Sequence, residues 1–230
     1  YRDKQPVYVV QREKPQVYQV SGLGPVDLSA RLIGRTEELN QLQSVLQSVV
    51  NTDCAQLVTV TGEMGVGKTR LSFAFEEWLQ HGLQETAVFR GHVQYDASQA
   101  SFGLIRDALS NFFGIYPRGS AQVSRDKLVN GIVNYMPGED EERKREQAHF
   151  IGHLLGFDFS ASPFLQGVLQ NPQRIREFAF QDLAAFFTAV ARQTSAAVLM
   201  LEDHQHVDEG SLDLVEYLLQ ECSDVPLLIF

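Results

Sequence analysis

The sequence predicts an α/β fold, with a mainly parallel central sheet flanked by helices, a helical insertion and a short β-rich segment at the N-terminal end. Three observations predict it. Leu57-Val58-Thr59-Val60 reads as a short buried strand that enters a glycine-rich loop and then a helix from Arg70 to Gln80. Ala197-Val198-Leu199-Met200-Leu201 reads as an apolar strand that ends in two acids, Glu202 and Asp203. Between the two, a strand at Ala87 to Val93 is followed by a long stretch of helical periodicity. Strands that alternate with helices are the pattern of a parallel sheet covered on its faces.

Residues 1 to 27 form a first segment, a β-prone tail from a preceding domain. They hold a near-repeat, Lys4-Gln5-Pro6-Val7-Tyr8-Val9-Val10 and Lys14-Pro15-Gln16-Val17-Tyr18-Gln19-Val20. The polar Gln11-Arg12-Glu13 between the copies suits the turn of a hairpin, and Ser21-Gly22-Leu23-Gly24-Pro25 suits a linker. The main domain runs from 28 to 230. Its first helix begins at Thr36, an N-cap type, with Glu37 and Glu38 in the first turn and Leu39, Leu42, Leu46 and Val49 as the buried stripe. In the helix after the glycine-rich loop, Leu71, Phe75, Trp78 and Leu79 share a face and Gly82 supplies the stop.

The insertion is expected to hold helices over Phe102 to Phe113, Lys127 to Tyr135 and Glu139 to Leu155, broken at Gly114-Ile115-Tyr116-Pro117 and Met136-Pro137-Gly138. The mixed charge run Glu139 to Glu146 suits a solvated helix face. His149 and His153 stand four apart on one face, but Phe150 occupies the place where zinc peptidases carry a Glu, so packing explains the pair better than a metal. Asn171-Pro172 marks the start of a core helix that carries Ile175, Phe178, Ala179, Leu183, Phe186, Phe187 and Val190.

Bulk properties exclude several classes. A hydrophobic share of 44% in 230 residues supports a folded core, and a net charge of −10 opposes nucleic acid and anionic membrane surfaces as direct partners. Cys54 and Cys222 are too few and too far apart for a disulfide framework or a zinc site, which suits a reducing cytoplasm. No apolar run approaches the roughly 20 residues that span a bilayer, and no signal-peptide pattern opens the chain. Tyr1 is not an initiator methionine, and Val225 to Phe230 stops inside an expected strand, so the sequence reads as a piece of a longer protein, truncated at its C-terminal end.

Gly62-Glu63-Met64-Gly65-Val66-Gly67-Lys68-Thr69 fits G-x-x-x-x-G-K-[ST], the phosphate-binding P-loop. Its glycines permit torsions that turn backbone N–H groups inward around phosphate, and Lys68 brings a mobile positive charge. The following helix, which opens at Arg70, adds unpaired first-turn N–H groups, and the Thr69 hydroxyl can reach Mg²⁺. In the second strand, Glu202 takes the metal side and Asp203 the side of the attacking water. The commoner order has Asp first. His204-Gln205-His206 follows and suits a polar loop that leads to Asp208 and a helix from Ser211.

With both motifs placed, the chain is similar to the AAA-like P-loop signal-transduction ATPases of the STAND type. Leu32-Ile33-Gly34-Arg35, the P-loop, and Leu199 to Asp203 with Asp208-Glu209-Gly210-Ser211-Leu212 carry the likeness. Within that group it most resembles the ATPase region after a class III adenylate/guanylate cyclase domain in large bacterial proteins, a likeness also carried by Ala148 to Gly152, Leu154 to Phe159 and the Lys4 to Val10 segment. The resemblance implies a P-loop NTPase fold with the P-loop strand near the sheet centre and the acid strand beside it. It implies ATP with Mg²⁺ as cofactors, and it places Gly34 and Arg35 toward the base or ribose. The implied partners are the nucleotide and the flanking domains of the same polypeptide, with a homo-oligomer left open. A regulatory ATP-binding module is the first reading. The ATPase segment of a large transcriptional activator, and a fold that keeps nucleotide only as structure, are the others.

Overall fold

A computed structural model of the chain describes residues 33–82, 85–92, 101–116, 119–202 and 208–230. The expected hairpin and linker within residues 1–27 lie outside the described residues, as do Asp203, His204, Gln205 and His206. The described elements are, in chain order, α1 (Thr36–Thr52), β1 (Gln56–Leu57), α2 (Lys68–Gly82), β2 (Thr86–His92), α3 (Gly103–Phe112), α4 (Ala121–Tyr135), α5 (Glu141–Leu154), α6 (Pro172–Gln193), β3 (Ala196–Glu202), α7 (Glu209–Glu221) and β4 (Leu227–Ile229). The fold is the α/β class expected, a parallel four-stranded sheet flanked by helices of a P-loop NTPase.

Side chains alternate across a strand, and here both faces of the sheet are covered. Ala196, Val198, Met200 and Leu228 meet Leu42, Leu46 and Val49 of α1 and Leu71, Phe75 and Leu79 of α2. Ala87, Phe89, Ala197, Leu199, Leu227 and Ile229 face the larger core built by α3 to α7. In that core Phe186 and Phe187 of α6 pack edge-on against Phe89 at 5.9 and 5.1 Å between ring centres.

The strand order is β1-β4-β3-β2, which corrects two expectations. The P-loop strand is an edge of the described sheet, and β4 stands between it and the acid strand β3. The connection explains this: after β1 the chain crosses through α2 to the far edge at β2, returns to β3, and β4 then fills the gap. The P-loop strand is also shorter than expected. Pairing reaches only as far as the Val58 N–H, which donates to the Ile229 carbonyl at 2.8 Å. With no strand among the described residues on the other side of β1, Leu57 and Thr59 are exposed.

Helix ends follow their caps. Thr36 opens α1 inside the helix, and the cap position falls to Arg35, whose side chain makes no cap bond. α4 begins six residues before Lys127, because the Ser120 hydroxyl accepts from the Val123 N–H. Asp140 caps α5 and Asn171 caps α6 in the same manner.

α3 covers the other sheet edge. An added Cβ at Gly91 would lie 2.3 Å from the Leu104 carbonyl oxygen, so strand and helix meet there only because Gly91 has no side chain. Asn111 donates to the Arg90 carbonyl at 2.8 Å, and the Asp107 carboxylate accepts from the His92 N–H at 2.9 Å. Two side chains of α3 thus take up edge groups that no strand among the described residues pairs. Burial pushes the Asp107 carboxyl above its ordinary range, against the hydrogen bonds from His92 and Asn111.

Candidate functional site

The P-loop leads straight into α2, whose first residue is Lys68. Gly65 and Gly67 carry φ of +80° and +98°, left-handed torsions that L side chains rarely adopt, and their added Cβ atoms would meet nothing within 4 Å. Gly62 is different, since a Cβ there would press on Val66 Cγ1 at 3.0 Å. The glycines are therefore favoured by torsion at two positions, and at the third a side chain would crowd Val66. Lys68 Nζ donates to the carbonyls of Gly62 (2.8 Å) and Glu63 (3.1 Å), so its charge lies across the loop. Glu63 and Met64 are exposed, Met64 almost fully, while Thr69 and Arg70 are half-buried in the first turn of α2.

Arg35 reaches this loop from the N-cap position of α1. Its guanidinium donates to the Val66 carbonyl at 3.3 Å and pairs with Glu38. The hydrogen bond from Arg35 holds the Glu38 carboxyl below the usual carboxylate range. Gly34, with φ of +72°, supplies the turn that lets the chain enter α1. The structure thus brings the Gly34-Arg35 approach and the P-loop together.

At the end of β3, Glu202 is mostly buried and faces the α2 side of the sheet, in register with His92 of β2. Glu202 Oε1 accepts from Arg90 Nη2 at 2.6 Å, and its Oε2 lies 4.0 Å from His92 Nδ1. Arg90, 4% exposed, also pairs with Glu76 of α2 and lies over the Phe73 ring, 3.9 Å from its centre. One arginine therefore joins β2, β3 and α2, the helix that follows the P-loop. A buried guanidinium demands such partners, because an uncompensated charge there would cost several kcal/mol, on the order of 3–5.

These residues fit a nucleotide phosphate and a divalent ion. The left-handed torsions at Gly65 and Gly67 are of the kind that lets successive backbone N–H groups gather around an anion, and the first turn of α2 holds no acid that would compete with one. The Thr69 hydroxyl and the Glu202 carboxylate are hard oxygen donors of the kind Mg²⁺ takes. A family model for the AAA ATPase domain matches residues 31–230. The chain belongs to that family. No curated protein and no solved structure matches it.

The AAA ATPase domain is a P-loop ATPase module, and among its described residues no helix is long and apolar enough to cross a membrane. Asp203, the second acid of its pair, lies outside the described residues. His149 has a packing role: its Nδ1 is 2.7 Å from the Ser162 hydroxyl, and its ring sits 4.6 Å from Phe159 and 5.1 Å from Phe164. Burial and the nearby Arg145 lower its pKa.

Sequence reasoning missed Arg90, Glu76 and the reach of Asp208. Asp208 caps α7 through the Ser211 N–H at 2.9 Å, and the same oxygen accepts from the Phe102 N–H at 2.9 Å, which ties the start of α3 to the start of α7. A signal existed for Arg90, a charge directly after the apolar run Ala87-Val88-Phe89 within a strand. Its partners lie 14 and 112 residues away.

Proposed function

We propose that this AAA ATPase domain is the ATP-binding regulatory module of a multidomain signalling protein of the STAND type, joined in sequence to a class III nucleotide cyclase. The observation that carries the reading is the P-loop itself, with Gly65 and Gly67 in left-handed torsions and Lys68 laid across the loop at the mouth of α2. In this reading the P-loop amides from Gly62 to Thr69 and the first turn through Arg70 hold the phosphates of ATP. Lys68 turns from the loop carbonyls to the phosphate oxygens, and Gly34 and Arg35 border the base or ribose. Thr69 and Glu202 hold Mg²⁺, which supplies charge neutralisation at the phosphates when bound. Asp203 orients the attacking water, and hydrolysis is slow. The cyclase attachment is supported by the sequence likeness of residues 4–10 and 148–159.

Calorimetric titration with Mg·ATP and Mg·GTP tests the reading. The chain should bind ATP in preference to GTP, and Lys68→Ala should weaken binding at least about tenfold, the loss of one charge-assisted contact to phosphate. Equal affinity in the two proteins would sink the P-loop assignment. A helix-turn-helix in the full-length sequence, in place of a cyclase, would move the module to a transcriptional activator.

A further inference from the structure

Of the Glu76–Arg90–Glu202 triad only Glu202 has a part in the function proposed so far, and Glu76 and Arg90 have none. Its geometry sets up a competition. Arg90 presents one arm of its fork to Glu202 on β3 and the other to Glu76 on α2, and the Phe73 ring 3.9 Å away fixes its plane. Glu202 gives one oxygen to this arginine, while its other oxygen faces His92 at 4.0 Å. Two carboxylates share one guanidinium, so a change at Glu76 alters how strongly Arg90 bears on Glu202.

We propose that Arg90 is a positioning residue that sets how strongly Glu202 draws a divalent ion, and that Glu76 on the phosphate helix sets how much of Arg90 falls on Glu202. The inference rests on the reading of Glu202 as the metal-side acid. It adds that metal affinity is tuned from α2, the helix that grips the phosphates, so phosphate and metal sites are mechanically joined by one side chain. Arginine suits this task because its planar fork can hold two carboxylates at once; lysine, a point charge, cannot hold that geometry.

The test measures nucleotide binding by fluorescence of an ATP analogue, titrated with Mg²⁺ and repeated in EDTA, with the whole chain at pH 8. Glu76→Gln frees Arg90 to bear fully on Glu202, and the Mg²⁺ concentration at half-effect should rise about three- to tenfold. Arg90→Gln removes the competitor, and the same midpoint should fall by a similar factor. In the Arg90→Gln background, adding Glu76→Gln should move it less than about twofold, because the coupling runs through the guanidinium. Binding in EDTA should stay within about twofold of the parent in every variant.

A merely structural triad predicts shifts of one sign in both single variants, or none, and either result overturns the proposal. So does a Glu76→Gln shift that persists without Arg90. Where Arg90→Gln does not fold, Glu76→Gln alone decides, by a raised midpoint or an unchanged one. Failure of the parent chain to bind nucleotide under any condition would instead overturn the ATP-binding reading, and is thereby distinguished from failure of this inference.

Discussion

Gly67 stands at the foot of α2 with φ of +98°, and a methyl added there would meet nothing within 4 Å. The cost of Gly67→Ala is therefore torsional, about 1–2 kcal/mol if the loop keeps its shape. The loop can avoid that cost only by turning its N–H groups away from the concavity. Urea unfolding should show a loss of no more than about 2 kcal/mol, while Mg·ATP affinity should fall by more than about tenfold. Retained affinity would mean that the phosphate is not held by these amides. At this scale the sequence was informative wherever chemistry is local: the glycines, Lys68 and the helix cap Asn171 are all legible within a few residues of their effect, whereas Asp140, expected inside the helix, proved to be its cap. Arg90 was not, because its two carboxylates come from α2 and β3, and nothing in the strand around it says which acids of the chain it meets.

At the scale of elements, Asp208 shows where legibility ends. Its role as the cap of α7 could be read from the sequence around it, but its second acceptor role, for the Phe102 N–H at 2.9 Å, joins residues 106 apart. Phe102 is buried and carries φ of +62°, so its amide finds little water if the carboxylate is removed. Asp208→Ala should thus lose a helix cap of about 1 kcal/mol and leave a buried donor unsatisfied at about 1–3 kcal/mol more. Asp208→Asn keeps an acceptor and should recover more than half of that loss. Urea unfolding of the two variants checks this, and equal losses would show that charge, not the paired acceptance, is what Asp208 contributes. The strand order was hidden for the same reason. Continuous apolar runs identify β3 and β4 as strands, but the insertion of β4 between β1 and β3 is settled by crossovers that local pattern does not encode.

At the largest scale the described residues form two packed layers on one sheet, the smaller of α1 and α2 and the larger of α3 to α7, and the larger layer carries a titrating flaw. Asp182 of α6 is 3% exposed, accepts from Gln147 at 2.9 Å through Oδ1, and its other oxygen is buried with no hydrogen-bond partner. Its ion pair with Arg143, at 3.6 Å, reaches out to a half-exposed guanidinium and is worth little. Burial raises the Asp182 carboxyl above its ordinary pKa of 3.8; the Gln147 hydrogen bond and Arg143 oppose that rise, and Glu146 adds to it. A carboxyl raised in the folded state favours folding most below its unfolded pKa, and that advantage is lost as pH climbs through the folded value. Ionisation of Asp182 thus works against the fold at neutral pH. Asp182→Asn keeps an acceptor for Gln147 without the charge, so it should raise Tm at pH 7, and the gain should shrink to nothing as pH falls through the ordinary carboxylate range. Thermal melts of both proteins from pH 7 to pH 4 decide it. A variant less stable than the parent at pH 7 would mean that the pair with Arg143 outweighs burial, and that α5 and α6 are held together by that ion pair.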